Sequence, residues 1–282
     1  TLDAKEKEYV LGRINYYNKL EETTLIDPSK SIQLQNFKLQ HRKKGNVYFF
    51  DTYEYTRFFP TTYNIATLFG DITKVPDTPS LTKSRPIAGD NANSVILKLN
   101  KIRHYTFVKD KKAFTDKKNI LIGRACIKQA QRIRFWEMYF NHPMCDLGQI
   151  NANNIVRPEW IKPAISIDEH LDYKFILCIE GFDVASNLKW VMSSNSLAIM
   201  PKPTYETWFM EGTLIPNYHY VCIKDDYSDL EERLTYYINH PDEAQAIIEH
   251  AHEYVAQFRN KRRENLISLL VLKKYFEKTG QC

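Results

Sequence analysis

The chain has 282 residues, of which 43% are hydrophobic and 26% are charged, and its formal net charge is +5. This length and this balance exclude a small disulfide-stapled scaffold and a disordered chain. Only 9 glycines occur, with no two of them close together, which excludes the glycine-rich phosphate loops of P-loop NTPases and of dinucleotide-binding folds.

The N-terminal part of the chain combines helix and strand signals. The predicted elements are a helix at 4–20, a basic turn at 41–45, a strand at 47–51 and a helix at 62–69 that ends at Gly70. Three prolines and an absence of periodicity predict a long loop between Asp71 and Pro86.

The rest of the chain alternates strands and helices more regularly. The predicted strands are 120–122, 173–179, 196–200 and 218–223, and the predicted helices are 129–140, 187–192, one from 228, one from 241 and one that ends at 278. Regular alternation of this kind predicts an α/β fold with a mainly parallel sheet.

The cysteines indicate a reducing compartment. Five cysteines are widely spaced and several lie in apolar runs, so we interpret them as buried thiols rather than a disulfide framework. The start of the chain is charged, and no apolar run is long enough to span a bilayer. We expect a cytoplasmic protein, with peripheral contact to the inner face of the cytoplasmic membrane as a further option. The missing initiator Met leaves open whether residues precede Thr1.

A candidate anion site follows the strand at 173–179. That strand leads to Glu180 and then to a helix whose start includes Ser186, Asn187 and Lys189. Open α/β sheets bind ligands beyond the carboxyl ends of their strands, and a helix N-terminus there offers N–H groups to an anion such as a diphosphate. The alternative is that Ser186 only caps the helix and that Lys189 is an ordinary solvated lysine.

Short motifs between residues 173 and 255 carry a resemblance to a known family. They include Glu180-Gly181, Ser186-Asn-Leu-Lys189, Ser194-Asn-Ser-Leu197, Tyr205-Glu-Thr-Trp-Phe209 and Leu214-Ile-Pro-Asn-Tyr-His-Tyr-Val221. In order and spacing they resemble the family 90 glycosyltransferases, which include lipopolysaccharide core and capsule-associated enzymes and the eukaryotic protein O-glucosyltransferases. Lys83-Ser-Arg-Pro86 and Asn141-His-Pro-Met-Cys-Asp146 look most like the small bacterial lipopolysaccharide-modifying branch.

The resemblance implies a GT-B fold, with two Rossmann-like domains that face each other across a cleft. On this basis we divide the chain into an acceptor-side domain (1–112), a nucleotide-sugar-binding α/β domain (113–257) and a C-terminal helix (258–282) that packs back on the first domain. The activity implied is inverting, metal-independent transfer of a hexose from a UDP-sugar. The donor-site residues implied are Arg124, Arg132, Glu180, Gly181, Ser186, Asn187, Lys189, Tyr205 and Glu206.

Some of these donor-site residues have a structural alternative. The family usually has Arg-Gly with a second arginine several residues on, whereas this chain has Gly123-Arg124 and a longer spacing to Arg132. The arginines would otherwise solvate the flank of a helix. Tyr205 and Glu206 would otherwise anchor a packed loop.

The resemblance also implies a catalytic base. An inverting transfer needs a carboxylate that takes the proton of the attacking hydroxyl. Asp71 is the choice, because it follows Gly70 and begins an Asp-x-x-x-Val-Pro segment where the family places its base. The alternative is that Asp71 only forms a turn after a helix. Asp90 is the reserve candidate.

The sequence predicts no metal and no cofactor. No Asp-x-Asp pair occurs, and CxxC and HExxH motifs are absent. The expected partners are a UDP-sugar and a glycan acceptor, chiefly a lipopolysaccharide core that basic clusters at 41–44, 109–112, 117–118 and 259–263 would attract. No nucleic-acid-binding pattern is present. The alternatives are a protein O-glycosyltransferase of the same family and a non-catalytic basic adaptor.

Overall fold

The computed structural model describes residues 3–37 and 47–282, so the basic turn and cluster predicted within 41–45 lie outside the described residues. The chain divides into two compact units. The first comprises Thr1–Arg103, Thr204–Gly212 and Phe258–Cys282, and the second comprises His104–Pro203 and Thr213–Gln257. The segment Thr204–Gly212 therefore belongs to the first unit, although the predicted division had grouped it with residues 113–257.

The first unit contains a four-stranded sheet and a separate strand pair. Its helices are α1 (Ala4–Tyr17), α2 (Leu34–Phe37), α3 (Val47–Thr56) and α10 (Lys261–Lys278), and α4 (Lys101–His104) ends at the boundary between the units. Its strands are β1 (Ser31–Gln33), β2 (Asn64–Leu68), β3 (Ser80–Thr82), β4 (Ser84–Pro86), β5 (Ser94–Ile96) and β10 (Tyr205–Thr207). The sheet order is β1-β2-β3-β5, with β2, β3 and β5 parallel and β1 antiparallel to β2. Strand β10 pairs with β4 in antiparallel orientation, which explains why Thr204–Gly212 belongs to this unit.

Three predicted elements of the first unit are wrong. The predicted strand at 47–51 is helix α3, because Phe49, Thr52 and Thr56 are buried at helical spacing. The predicted helix at 62–69 is strand β2, which gains hydrogen-bonding partners from β1 and β3 that sequence periodicity does not reveal. The predicted loop at 71–86 contains β3 and β4. The predicted helix at 4–20 is confirmed as α1.

Helix α10 provides much of the core of the first unit. Its buried residues include Ile267, Val271 and Leu272, which recur at the spacing of a helix face. The Tyr275 hydroxyl accepts a hydrogen bond from the Ala66 N–H of β2 and donates to the Pro79 carbonyl before β3. The C-terminal helix is therefore joined directly to the sheet.

The second unit is built on a five-stranded sheet in which every pair of strands is parallel. Its strands are β6 (Lys118–Ala125), β7 (Cys145–Gln149), β8 (Tyr173–Leu177), β9 (Leu197–Met200) and β11 (Val221–Cys222). Its helices are α5 (Ala130–Tyr139), α6 (Ile167–His170), α7 (Leu188–Val191), α8 (Leu230–Asn239) and α9 (Pro241–Ala256). The predicted α/β class with a mainly parallel sheet is confirmed.

The strand order of this sheet, β11-β9-β8-β6-β7, has a topological switch point. The chain places β7 on one side of β6 and places β8, β9 and β11 on the other side. This is the 2-1-3-4-5 order of one type of doubly wound sheet, in which ligands bind beyond the carboxyl ends of the two strands at the switch. In this unit those two strands are β6 and β8.

The cysteines are free thiols, but not all are buried. Cys178 is buried, as predicted, whereas Cys126 and Cys282 are exposed, so the prediction is wrong for those two. Among the helices of residues 3–37 and 47–282, none has the length and apolarity needed to cross a bilayer.

Candidate functional site

Arg132 joins the carboxyl ends of β6 and β8. It lies in the first turn of α5, and its guanidinium donates hydrogen bonds to the carbonyl oxygens of Cys126 (2.9 Å), Ile179 (2.9 Å) and Glu180 (3.1 Å). Cys126 follows β6, and the other two residues follow β8. A cationic side chain from the predicted donor site therefore lies at the topological switch point of the sheet.

The turn after β8 packs closely against this guanidinium. Gln131 Nε2 donates to the Gly181 carbonyl at 2.7 Å, and the Gly181 N–H donates to the Asp183 carbonyl at 2.9 Å. A Cβ atom at Gly181 would lie 3.1 Å from Arg132 Nη2. A larger residue at position 181 would therefore press on the guanidinium, so the structure places Gly181, Glu180 and Arg132 together.

The start of α7 is also attached to β8, but through a different residue than predicted. Asn187 is the N-cap residue, and its Nδ2 donates to the Leu177 carbonyl at 2.9 Å. No side chain makes a capping hydrogen bond there, so the structure gives Ser186 no capping role. Ser186 precedes Asn187 and is half-buried. Since α7 has only 4 residues, its N-terminus alone is a weak anion site.

Lys189 is not the solvated lysine of the alternative prediction. Its side chain is completely buried, so only that alternative is contradicted. It lies near Cys178: burial raises the pKa of that thiol, and the positive charge of Lys189 opposes the increase. The residue is part of the interior of the second unit.

Arg124 pairs with a carboxylate inside the sheet. Its Nη2 donates to both carboxylate oxygens of Asp146 at 3.0 Å, and Lys162 Nζ donates to the same carboxylate at 2.8 Å. Burial acts to raise the pKa of Asp146, but these hydrogen bonds outweigh burial and lower it. Arg124 therefore binds Asp146 of β7 and does not solvate the flank of a helix.

Tyr205 and Glu206 lie in the first unit, on β10. Glu206 is 2% exposed, and its Oε1 accepts a hydrogen bond from Arg85 Nε at 2.8 Å, while the Tyr16 hydroxyl donates to Oε2. Arg85 also donates to the backbone carbonyls of Tyr16, Tyr17 and Ser94. These contacts support the structural alternative, in which Glu206 balances a buried arginine and anchors the returning segment.

A second buried ion pair anchors the same segment. Trp208 stacks on Tyr17 with ring centroids 3.9 Å apart, and its Nε1 donates to Glu264 Oε2 at 2.6 Å. Glu264 also pairs with Arg13 at 3.1 Å. The ion pairs of Arg13, Arg85 and Glu264 could not be predicted from the sequence, because the partners lie 251 and 121 residues apart in the chain.

Asp71 lies at the carboxyl edge of the sheet in the first unit. It follows β2, and Lys83 follows the neighbouring parallel strand β3, so both side chains reach the same edge. Lys83 Nζ lies 2.6 Å from Asp71 Oδ1. The turn role expected as the alternative does not account for this buried partner.

Asp90 has a different environment. It precedes β5 instead of following a strand, and its Oδ1 accepts a hydrogen bond from the Ala92 N–H at 3.0 Å, as in an Asx turn. It lines an open pocket of about 490 Å³ together with Lys19, Glu21 and Asn93. Asp71 therefore lies at the carboxyl edge of the sheet, whereas Asp90 does not.

A pocket that no sequence motif predicted opens beyond the carboxyl ends of β9 and β11. It has a volume of about 410 Å³. Its lining residues are Lys202, Pro216, Asn217, Cys222, Ile223, Lys224, Asp225, Asp229 and Arg233. It lies on the same edge of the sheet as the Arg132 contacts, because all strands of this sheet are parallel.

The residues that could bind a cation are dispersed. Within residues 3–37 and 47–282, no group of three or more His, Cys, Asp or Glu side chains has an arrangement that could hold a metal ion.

Comparisons with known proteins match this chain over most of its length. The family model described as glycosyl transferase family 90 matches residues 149–275. A curated relative, the O-glucosyltransferase LpsA of Dichelobacter nodosus, is 40% identical over 273 residues, which cover 97% of this chain and 84% of the relative. The alignment to that relative includes segments of both structural units.

Proposed function

The chain belongs to glycosyl transferase family 90, and from that premise we propose that this glycosyltransferase moves glucose from a UDP-sugar to a hydroxyl group of a bacterial glycan, with inversion. The 40% identical relative is an O-glucosyltransferase, which supports glucose as the sugar and oxygen as the acceptor atom. The lipopolysaccharide core is proposed as the acceptor from the sequence resemblance. The GT-B arrangement of the two units remains a prediction.

The position of Arg132 is the observation that supports the proposed location of the donor site. Its guanidinium joins the carboxyl ends of β6 and β8, which is the crevice where doubly wound sheets bind ligands. We propose that the donor diphosphate binds there, beside Gly181, and accepts a hydrogen bond from the Ser186 hydroxyl. Asn187 and the Glu180 carbonyl have positioning roles, since both hold the ends of β8 in place.

The proposed chemistry is a single displacement. The acceptor hydroxyl attacks the anomeric carbon from the face opposite the diphosphate, the bond to the diphosphate oxygen breaks, and Asp71 takes the hydroxyl proton. The negative charge on the departing UDP is stabilised by Arg132 and by backbone N–H groups. We propose that a divalent cation is not required, because the chain has no Asp-x-Asp pair to hold one on the diphosphate.

The ion pair with Lys83 suits Asp71 to this role. The buried ammonium of Lys83 holds the Asp71 carboxylate in place through Oδ1, at 2.6 Å. Lys83 contacts Oδ1, and no hydrogen bond to Oδ2 is found within residues 3–37 and 47–282. Oδ2 is therefore the atom that we assign to the acceptor hydroxyl.

The experiment that tests the donor assignment is calorimetric titration with UDP in the presence of EDTA, followed by transfer assays with a panel of UDP-sugars. We expect UDP to bind and to raise the melting temperature, since a ligand specific for the folded state stabilises it by mass action. UMP, which lacks the second phosphate, is the comparison nucleotide and should bind more weakly than UDP. Absence of UDP binding would contradict the proposal.

The acceptor is tested separately. A lipopolysaccharide core oligosaccharide and a folded protein with exposed serines are offered with UDP-glucose, and transfer is followed by mass spectrometry. We expect glucose on the oligosaccharide. Transfer to the protein alone would favour the second candidate, a protein O-glucosyltransferase, which the name of the relative also allows.

A further inference from the structure

Phe182 is an exposed aromatic residue at the proposed donor site. Its relative exposure is 58%, whereas Asp183, Val184 and Ala185, which follow it, are 3% to 5% exposed. A single exposed aromatic side chain is ordinary on a protein surface. Phe182 differs from other exposed aromatic residues because it lies beside the Arg132 contacts and its backbone is held in place.

The backbone on both sides of Phe182 is held in place. The Gly181 N–H donates to the Asp183 carbonyl, which makes a tight turn with Phe182 between the two residues. The Gly181 carbonyl accepts from Gln131 at 2.7 Å, and the Glu180 carbonyl accepts from Arg132 at 3.1 Å. The ring therefore projects from a rigid turn beside the Arg132 contacts.

We propose that Phe182 is the surface on which the uracil ring of the donor stacks, an inference that rests on the proposed function. A UDP-sugar combines an anionic diphosphate with a flat aromatic base. Two groups at the carboxyl end of β8 match these two parts of the donor. The Arg132 guanidinium suits the diphosphate, and the exposed ring of Phe182 suits the base. Stacking of a base on an aromatic side chain is favourable and tolerates different bases.

This role predicts how the site ranks ligands. Stacking contributes to the affinity of any nucleoside diphosphate and contributes nothing to the affinity of inorganic pyrophosphate. The apolar C–H face of the transferred hexose is the other group that could cover Phe182. The two occupants differ experimentally, because UDP contains the base and lacks the hexose.

The test uses calorimetry on the full chain with UDP, UDP-glucose and inorganic pyrophosphate. We expect Phe182→Ala to weaken UDP and UDP-glucose by a similar factor, about tenfold, and to leave pyrophosphate affinity unchanged. Phe182→Tyr keeps an aromatic ring and should stay within about threefold of the wild type. Phe58→Ala removes a phenylalanine that is 65% exposed in the first unit, and it is the matched control.

Three results would overturn the inference. If the wild type binds UDP and Phe182→Ala binds it equally well, the stacking role is wrong while the proposed function stands. If Phe182→Ala weakens UDP-glucose but not UDP, the ring contacts the hexose. If the wild type does not bind UDP, the donor assignment fails, and this inference fails with it.

Discussion

Lys83 Nζ lies 2.6 Å from Asp71 Oδ1, and the two partners differ greatly in exposure: the lysine side chain is 2% exposed and the aspartate side chain 35%. The buried ammonium of Lys83 thus binds a carboxylate, that of Asp71, which is partly exposed to solvent. Because the two residues follow neighbouring parallel strands, the backbone of the sheet sets their separation. This geometry is the basis of the first prediction.

Asp71→Asn should lower the transfer rate by a factor of about 10² to 10⁴, because it removes the general base. UDP affinity should remain close to that of the wild type. The measurements are initial rates of UDP release with acceptor present and calorimetric titration with UDP. Asp77→Asn is the matched control, since Asp77 lies in the same segment with its side chain 88% exposed. Near-normal transfer by Asp71→Asn would assign the base to another residue.

Arg132→Ala should weaken UDP binding at least tenfold. The variant removes a charge near the diphosphate, and a hydrogen bond to a charged group contributes about 1.5–3 kcal/mol. It should also lower the melting temperature, because three backbone carbonyls lose their donor. Arg134→Ala, on the exposed face of the same helix, should change neither quantity appreciably. Unchanged affinity in Arg132→Ala would remove this arginine from the donor site.

Lys189→Ala should affect folding more than binding. Its side chain is completely buried, so its removal leaves a cavity and should lower the free energy of unfolding by about 2–5 kcal/mol. The control, Lys273→Ala, removes a lysine whose side chain is 61% exposed, and it should change the free energy of unfolding by less than about 0.5 kcal/mol. Urea denaturation measures the free energy of unfolding of both variants. A stable Lys189→Ala variant that no longer binds UDP would instead support the direct phosphate contact first expected from the sequence.

Transferase activity should persist in excess EDTA. In place of a cation held by paired carboxylates, Arg132 and backbone N–H groups are proposed to stabilise the departing diphosphate. The assay compares initial rates after dialysis against EDTA with rates after addition of Mg²⁺ or Mn²⁺. Loss of activity in EDTA and recovery with either ion would contradict metal-independent transfer.

The second unit should lose stability as the pH falls below about 6.5. Burial lowers the pKa of His170, although the Ser166 carbonyl, which its Nδ1 contacts, acts in the opposite direction. The unfolded chain then binds the proton more readily than the folded chain, so protonation favours unfolding. In His170→Gln, the decrease in the free energy of unfolding between pH 7 and pH 5 should be smaller, by at most about 1.4 kcal/mol per pH unit. If the free energy of unfolding decreases equally as the pH falls in the wild type and in His170→Gln, His170 makes no such contribution.

The alternating strands and helices of the second unit could be predicted because they have regular apolar patterns. The strands near Ile122 and Phe175 are continuous buried runs, and Arg132 follows the first of them at a distance that places it on the next helix. The sequence therefore led to the edge of the sheet at the switch point between β6 and β8. It could not reveal the partner of Arg124, because Asp146 lies 22 residues away and is brought near only by strand pairing.

Predictions failed where the local pattern was short or misleading. The burial of Lys189 depends on the packing around a helix of 4 residues, too short for a periodic pattern to show which side faces the interior. The aromatic residues around Phe49 favour strands by propensity, but burial of one helix face decided their structure. Strand β2 became a strand because β1 and β3 pair with it.

The order in which the units can be completed during synthesis follows from the path of the chain. Strand β10, which pairs with β4, follows it about 120 residues further along the chain. Helix α10, which contacts α1, is even further from its partner in sequence. An emerging chain could therefore form the sheet of the second unit, up to β11, while the first unit still lacks the helix that fills its core. Long-range contacts of this kind slow folding and leave apolar surface exposed in the meantime. The first unit, although it begins the chain, is finished last, so a ribosome stalled before Lys261 would hold a chain whose first unit remains open to chaperones.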